Sequence, residues 1–228
     1  MSKKNSNLKV AAYQTIKERL INCEYAPGTF LNEAKIAEDL GISRTPIREA
    51  ITRLEIEKLV KVLPKKGIYV SEITLADVQQ IFQTRLKIEP LTIRMAADKL
   101  PLEDLMLFKE KFSKDVADIR TGYRLDTAMH LFIIEQCGNQ YIIDMMHKLF
   151  EDNTRVIISS KQNQVQIHDA KNEHLEIIEE LINHNTEGAA VLMEKHIENC
   201  RRAAFDYFYN LRTFNQTDSV YRQVLSTL

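Results

Sequence analysis

The sequence is poor in residues that break helices and in residues that build small disulfide-bonded domains. Only six glycines and five prolines occur in 228 residues, which argues against a β-sandwich or barrel, because those folds need many turns. The three cysteines are widely spaced and form no Cys-x-x-Cys pair, which indicates a reducing compartment. No apolar run approaches the ~18 residues of a membrane span, and the N-terminus lacks an apolar signal segment. We therefore expect a cytoplasmic protein, away from the membrane and built mainly of helices.

The residues that are present suffice for a packed core and are unevenly charged. Hydrophobic residues make up 44% of the chain and charged residues 28%, as in ordinary globular proteins. The net charge of −1 hides a division, because residues 1–75 carry a net charge of +4 and the remainder a net charge of −5. A basic first third on an acidic body favours a nucleic-acid-binding head joined to a domain with another task.

The first third of the chain contains the helices of a helix-turn-helix. Apolar spacing predicts a helix over residues 8–22, and a short second helix follows, capped by Asn32 and ended at Gly41. Ser43 is placed to cap a third helix, which tolerates Pro46 in its first turn and runs to about residue 58.

The third helix has the two faces of a recognition helix. Its apolar residues fall on one side of a helical wheel, and Arg44, Thr45 and Arg48 fall on the other. Arginine forks match guanine O6 and N7 or phosphate oxygens, and a helix N-terminus attracts phosphate. Two β-like runs, 59–63 and 68–73, then predict a hairpin wing with Lys65, Lys66 and Gly67 at its tip. An ordinary solvated helix is the alternative, but the ordered series of elements favours DNA binding.

From Thr74 onward the apolar spacing is helical almost throughout. A capping box formed by Thr74 and Asp77 begins this region, and Pro90 should kink its first helix. The joints between helices are predicted at Pro101, Gly122, Gly138-Asn139 and the polar stretch 161–166. We predict helices near 74–99, 102–119, 123–137, 140–160, 167–183 and 187–211. The predicted domains are residues 1–73 and 74–212, followed by a polar tail over 213–228.

Three histidines and one aspartate of this region form a candidate metal site. Asp126 and His130 are four residues apart on one helix face, whereas His174 and His196 lie on two later helices. If these three helices pack antiparallel, one carboxylate and three imidazoles converge, a set that suits Zn²⁺, Ni²⁺, Mn²⁺ or Fe²⁺. Spacing alone supports only the local pair, so buried histidines without a ligand role are the alternative. Cys200, one turn after His196, is a candidate fourth or substitute ligand, but the sequence favours a buried, unreactive thiol at this position. Ordinary structural roles are assigned to the other histidines, His147, His168 and His184.

The head resembles a known family of regulators. Residues 25–70, and most specifically the segment GISRTPIREA over 41–50, are similar to the DNA-binding domain of the GntR family of bacterial transcription regulators. Where that family usually has glycine before the wing, this chain has Lys58. The resemblance implies that DNA contacts come from Ser43, Arg44, Thr45 and Arg48, with Gly67 at the wing.

The helical region resembles the FCD effector domain, the fatty-acid-regulator C-terminal type. The similarity covers residues 74–210 and rests on RLKIEPL over 85–91, Asp126-x-x-x-His130, Gly138-Asn139, Glu173-His174 and His196. In the metal-binding branch of that family these Asp and His positions hold a divalent ion, and a small organic acid binds beside it. Candidate contacts to that acid are Arg85 first, then Arg155 and Asn199. An ion pair between Arg85 and Glu89, four residues later, is the alternative for Arg85.

These features together predict a mainly α protein. It has an N-terminal winged helix-turn-helix with a β-hairpin wing and an all-α effector domain of six to seven helices. We expect a repressor and not an enzyme. The repressor should bind a short palindromic operator as a homodimer and respond to a small carboxylate effector beside the metal. One alternative is a regulator that responds to the metal itself. The other is a metal-dependent enzyme. Glu173 adjoins His174 as a candidate base, but neighbours on a helix point about 100° apart, and no GxSxG or P-loop motif is present.

Overall fold

The chain folds into two units, Met1–Ile73 and Thr74–Leu228. The computed structural model describes residues 2–114, 119–161 and 170–225, with side chains described over 8–114, 121–160 and 170–210. The described residues are mostly helical, with a small antiparallel sheet in the first unit. The predicted fold class is therefore confirmed.

The first unit is a winged helix-turn-helix with one more strand than predicted. Its helices and strands are α1 (Ser2–Ile21), β1 (Phe30–Leu31), α2 (Glu33–Leu40), α3 (Arg44–Ile56), β2 (Val60–Leu63) and β3 (Gly67–Val70). The sheet order is β1-β3-β2, and both strand pairs are antiparallel. Strands β2 and β3 are the predicted hairpin, in which Leu63 lies opposite Gly67. Strand β1 was missed because two residues are too few to show an alternating pattern.

The core of the first unit lies between α1, α3 and the sheet. Ile16 and Leu20 of α1 are buried with Ile47 and Leu54 of α3, and Val70 of β3 joins them. The apolar side of α3 is thus covered, as the helical wheel predicted. Its polar side, including Ser43 at its start, Arg44, Thr45 and Arg48, is left exposed.

The predicted capping contacts are formed at both ends of α2, but not at the start of α3. The side chain of Asn32 accepts hydrogen bonds from the backbone N–H groups of Ala34 and Lys35, and Gly41 adopts the left-handed conformation at φ 64°. Ser43 occupies the N-cap position of α3, but its side chain makes no capping hydrogen bond. The prediction that Ser43 caps this helix by its side chain is therefore wrong.

Lys58 takes the backbone conformation that a glycine would adopt more easily. Its φ is 63°, in the left-handed region that costs a residue with a Cβ roughly 1–2 kcal/mol. The N–H groups of Lys58 and Leu59 donate to the carbonyls of Glu55 and Leu54, which closes the end of α3. The turn into the wing is thus formed without the family's glycine.

The described residues of the second unit form helices and short connections, and no strand. It contains α4 (Leu75–Ala96), a 3₁₀ turn (Ala97–Lys99), α5 (Leu102–Ser113), α6 (Ile119–Glu135), α7 (Gln140–Lys161), α8 (Lys171–Ile182) and α9 (Thr186–Leu225). The predicted capping box of Thr74 and Asp77 starts α4, and Pro90 lies inside that helix. Helix α9 packs along α4 and α8, while α6 packs on α4 and α7. This arrangement brings α4, α6, α8 and α9 around one interior region.

Several predicted helix boundaries differ from the structure. Gly122 lies inside α6 rather than between helices, because a helix interior tolerates glycine at a cost of only about 1 kcal/mol. Helix α9 continues to Leu225, through the segment that was predicted as a tail. The helices predicted at 102–119 and 167–183 correspond to α5 (Leu102–Ser113) and α8 (Lys171–Ile182). Residues 115–118 and 162–169, where the predicted end of the first and start of the second lie or adjoin, are outside the described residues. Within the described parts of the chain, no helix is both long and apolar enough to cross a membrane.

Candidate metal centre and nucleic-acid interface

Three helices bring the four predicted metal ligands together. Asp126 and His130 lie on α6, His174 on α8 and His196 on α9, and one ligand atom of each lies within 4.8 Å of the others. The imidazoles are at most 2% exposed, while 21% of the Asp126 side chain is exposed. The ring of Phe112 stacks on His174 with centroids 4.6 Å apart. The cluster is therefore enclosed on most sides and reached by solvent at the aspartate.

Two of the distances within the cluster match the spacing of ligands around one ion, and the others are longer. Nε2 of His174 lies 3.1 Å from Oδ1 of Asp126 and 3.4 Å from Nε2 of His130. Oδ1 of Asp126 and Nε2 of His130 are 3.9 Å apart. Donor atoms held at about 2.1 Å from one ion lie about 3.0–3.4 Å apart in octahedral or tetrahedral geometry. The other atoms of the cluster lie up to 4.8 Å apart, so the donor set fits a transition-metal ion around which the four side chains would draw closer.

Two carboxylates outside the cluster orient two of its imidazoles. Oε2 of Glu89 lies 2.5 Å from Nδ1 of His130, and Oε2 of Glu173 lies 2.8 Å from Nδ1 of His196. A proton on Nδ1 of each ring satisfies these contacts and leaves the lone pair of Nε2 for the cluster. Carboxylate partners of this kind are the usual companions of metal-bound histidines.

The pKa shifts of Asp126, Glu89 and His196 favour the protonation states that metal binding requires. Burial would raise the pKa of Asp126, but a hydrogen bond from one imidazole and the charges of all three hold it well below its usual range. Burial also opposes ionisation of Glu89, yet Arg85 and His130 lower its pKa to about 2. Burial lowers the pKa of His196 to about 4. At neutral pH both carboxylates are ionised and His196 is a neutral ligand.

Arg85 combines the predicted ion pair with an unused donor. It is 1% exposed, and its Nε donates to Oε1 of Glu89 at 2.5 Å, so the alternative offered by the sequence is present. Its Nη1 donates to Oδ1 of Asn153 on α7 at 3.1 Å. Its Nη2 is buried and has no hydrogen-bond partner among the described residues. Burial lowers the pKa of Arg85, but the charges of Glu89 and the more distant Asp126 outweigh it and raise that pKa.

The other two predicted effector residues have different surroundings. Nδ2 of Asn199 donates to Oε1 of Glu173 at 2.6 Å, so this amide supports the carboxylate that orients His196. Arg155 is buried on α7, two residues after the Asn153 that binds Arg85. The contact of Asn199 was not predictable from local spacing, because it joins two helices through residues that are 26 positions apart.

Cys200, the other candidate ligand, lies beside the cluster, whereas the described histidines that were given structural roles are not part of it. Sγ of Cys200 lies 3.7 Å from Nε2 of His196, but Cys200 is not among the four converging ligands. His147 pairs with Glu135 on the surface, His184 follows the end of α8, and His168 lies outside the described residues.

In the first unit, the starts of α2 and α3 and the wing surround a groove of about 660 Å³. The groove lining includes all four basic residues that were predicted to face DNA, together with Gly67; the four are Arg44, Arg48, Lys65 and Lys66. Two elements far apart in sequence thus present cations to one concave surface. Such a surface attracts the phosphates of a nucleic acid.

The wing glycine has a structural reason to be glycine. Gly67 has φ 108°, and a Cβ at this position would lie 3.1 Å from the backbone oxygen of Leu31 in β1. A larger residue would push β1 away from β3. The requirement therefore arises within the sheet, whatever the glycine contacts on DNA.

Sequence reasoning missed Glu33 in this groove. Nε of Arg48 lies 2.9 and 3.0 Å from the two carboxylate oxygens of Glu33. The two residues are fifteen positions apart on different helices, so helical periodicity gives no signal for the contact.

Two families match this sequence over most of its length. The family described as bacterial regulatory proteins of the gntR family matches residues 8–70, and the FCD domain matches residues 80–199. The FCD match alone covers more than half of the chain.

Similar proteins bear names of the same kind. An uncharacterized HTH-type transcriptional regulator, YdhC of Bacillus subtilis strain 168, is 26% identical over 78% of this chain and 82% of its own length. The HTH-type transcriptional repressor RspR of Escherichia coli K12 is 24% identical over 82% of this chain and 84% of its own. Since the family and these relatives are transcription regulators, the expectation that the chain is not an enzyme is confirmed.

Solved structures share the fold. E. coli McbR/YncC superposes with a TM-score of 0.75 at 19% identity, over 88% of this chain and 98% of that one. A putative transcriptional regulator GntR from Rhodococcus sp. RHA1 gives 0.72 at 19% identity, over 87% and 97%. From the two family matches and the helix-turn-helix and helical domain described above, the chain belongs to the GntR family of bacterial transcription regulators and carries an FCD domain.

Proposed function

We propose that this regulator is a cytoplasmic homodimeric repressor whose operator affinity is controlled by a small carboxylate effector. The effector binds beside a divalent metal held by Asp126, His130, His174 and His196. The observation that carries this proposal is the convergence of the four ligand atoms within 4.8 Å of one another in a buried site.

The chemistry of the donor set supports a divalent transition metal. Three imidazole nitrogens and one carboxylate oxygen suit Zn²⁺, Ni²⁺, Mn²⁺ or Fe²⁺, and they are less suited to Ca²⁺ or Mg²⁺, which prefer oxygen. When bound, the metal supplies positive charge and open positions for an anionic oxygen. The chain supplies the orientation, because Glu89 and Glu173 fix two of the rings through Nδ1.

The unused donor of Arg85 supports a carboxylate as the effector. A buried N–H without a partner costs about 1–3 kcal/mol, a cost that is removed when an anion accepts from it. Glu89 and Asn153 hold the rest of the guanidinium in place, so Nη2 is positioned before the ligand arrives. In this proposal, a carboxylate bound at the metal would also accept from this arginine.

The groove of the first unit supports operator binding. Arg44 and Arg48 lie in the first two turns of α3, where side chains reach base edges in helix-turn-helix proteins. Lys65 and Lys66 on the wing supply charges for phosphate. Two copies of such a head reading the two halves of a palindrome require a symmetric dimer. The name of one relative, a transcriptional repressor, favours repression over activation.

The first test measures the melting temperature of the full-length protein against sugar acids, hydroxy acids, dicarboxylates and amino acids, with and without prior chelation. A ligand at about 100 times its Kd adds about 2.7 kcal/mol, or a shift of about 5–10 °C for a chain of this size. We expect one class of acid to raise the melting temperature and prior chelation of the metal to abolish that rise. If chelation lowers the melting temperature and no acid raises it, the result would instead favour the metal itself as the signal.

Matched variants connect the result to the cluster. His174→Ala should remove the metal and the acid-dependent shift, whereas His147→Ala changes a surface histidine and should leave both intact. Operator binding is then measured with and without the active acid, where a change of about 5- to 150-fold is expected. An acid that binds without altering operator affinity would contradict its role as effector.

A further inference from the structure

We propose that Glu33 is a positioning residue for DNA sequence readout: it holds the Nε edge of Arg48, so that the terminal amino groups present a fixed fork to a guanine. This inference rests on the proposed operator binding by α3. It goes further, because it assigns the discrimination between bases to a pair formed across two helices.

The contact uses one edge of the guanidinium and leaves the other free. Both carboxylate oxygens of Glu33 accept from Nε of Arg48, at 2.9 and 3.0 Å. The terminal amino groups of Arg48 make no hydrogen bond within the described part of the chain. A guanine is read by two parallel donors that meet O6 and N7. Those two donors are the ones that Glu33 leaves available.

The position of Glu33 is itself well defined. It is the first residue of α2, next to Asn32, whose side chain caps that helix through two backbone N–H groups. Its side chain is 28% exposed, against 69% for Arg48. The shorter, more buried side chain therefore anchors the longer, more exposed one. An arginine held in this way loses less rotamer freedom when it binds a base.

The surroundings argue against a contact that serves stability alone. Glu33 and Arg48 line the groove with Arg44, Lys65 and Lys66, and exposed pairs of this kind contribute little to stability. A carboxylate among cations that face phosphate weakens binding to any DNA. Its presence there is consistent with a gain in discrimination rather than in affinity.

The test compares binding of full-length variants to two DNA probes. One is a duplex selected on the wild-type protein from a random-sequence pool. The other is taken from a set of copies of that duplex, each of which has a single guanine replaced by adenine. At each guanine, discrimination is measured by the dissociation constant of the substituted duplex divided by that of the selected duplex; this quotient is called the ratio. We expect Glu33→Ala to lower this ratio by about tenfold at one guanine per half-site. Glu33→Gln keeps an oxygen for Nε and should retain more of the ratio.

A control variant separates positioning from charge. Glu49→Gln removes a carboxylate from the same region, where Glu49 pairs with Lys9 outside the groove, and should leave the ratio unchanged. Both Glu33 variants should bind the substituted duplex more tightly than wild type, because a negative charge leaves the groove. In an Arg48→Ala background, Glu33→Ala should change the ratio no further.

The outcomes distinguish this inference from the proposed function. If Arg48→Ala lowers the ratio but Glu33→Ala does not, operator reading by Arg48 stands and the role of Glu33 is refuted. An equal effect of Glu33→Ala with and without Arg48 refutes it as well. If Arg48→Ala leaves the ratio unchanged, the reading of bases by Arg48 fails and the inference fails with it. Melting curves of each variant establish that the fold is retained.

Discussion

The substitution Glu89→Gln tests how the buried network of the second unit supports metal binding. The carboxylate of Glu89 accepts on both sides, from Nε of Arg85 through Oε1 and from Nδ1 of His130 through Oε2. Glutamine has one oxygen and one NH₂ group. If its oxygen faces Arg85, its NH₂ faces Nδ1 of His130 and requires a lone pair there. The ring proton then moves to Nε2, the atom directed at the metal cluster, and that ring cannot bind an ion.

The expected magnitudes follow from burial and from the role of the partner carboxylate. Arg85 and Glu89 are each 1% exposed, and removing one member of such a pair costs about 3–5 kcal/mol. Since the glutamine oxygen still accepts from Arg85, we expect the lower end, about 3 kcal/mol. That is a fall of about 6–12 °C in the melting temperature of the metal-free protein. Loss of the correct ring tautomer should lower metal affinity by about 10- to 100-fold.

The assay is a competition titration of metal against a chromophoric chelator, together with melting curves of metal-free protein. Glu135→Gln makes the same change beside His147, in a pair whose side chains are 44–48% exposed, and should alter neither quantity. Glu173→Gln should weaken metal binding through His196 with a smaller loss of stability, because no buried arginine loses its partner. Unchanged metal affinity in Glu89→Gln would refute the proposed orientation of His130.

Three further outcomes are expected. Lys58→Gly should raise the free energy of unfolding by about 0.5–1 kcal/mol because the residue has φ 63°, and a loss of stability in urea titrations would show that the side chain matters more than the backbone. The metal-free protein should lose stability as pH falls. The loss occurs first between 6.5 and about 4, as the unfolded chain protonates His196, and then between 4.5 and about 2, as it protonates Glu89. The Glu89 component alone is on the order of 3 kcal/mol, and urea midpoints that do not vary with pH would contradict it. Lys65→Ala and Lys66→Ala should each reduce the salt dependence of operator binding by about one unit of slope while leaving base preference unchanged, as filter binding at several salt concentrations can test.

Local chemistry made much of the fold predictable. Asn32, Gly41 and the Thr74–Asp77 pair mark helix ends through contacts within a few residues, so they can be recognised without knowledge of the fold. The amphipathic pattern of α3 gave both its buried and its exposed side. Ser43 is the exception, because a residue suited to capping does not have to make the capping bond. Strand β1 was missed for the opposite reason, since its two residues pair with β3 only after the chain has folded back.

The candidate site was predictable in its members but not in its connections. The sequence and its family resemblance identified Asp126, His130, His174 and His196, and i,i+4 spacing offered the Arg85–Glu89 pair. Only tertiary packing decided that Glu89 also orients His130 and that Glu173 orients His196. It also leaves one amino group of Arg85 without a hydrogen-bond partner among the residues that the structure describes. In the head, the same holds for Glu33 and Arg48. The physical reason is that periodicity reports which face a residue occupies on its own helix. Which atoms of different helices meet within 3 Å depends on how those helices pack, and that is set by side chains along their whole length.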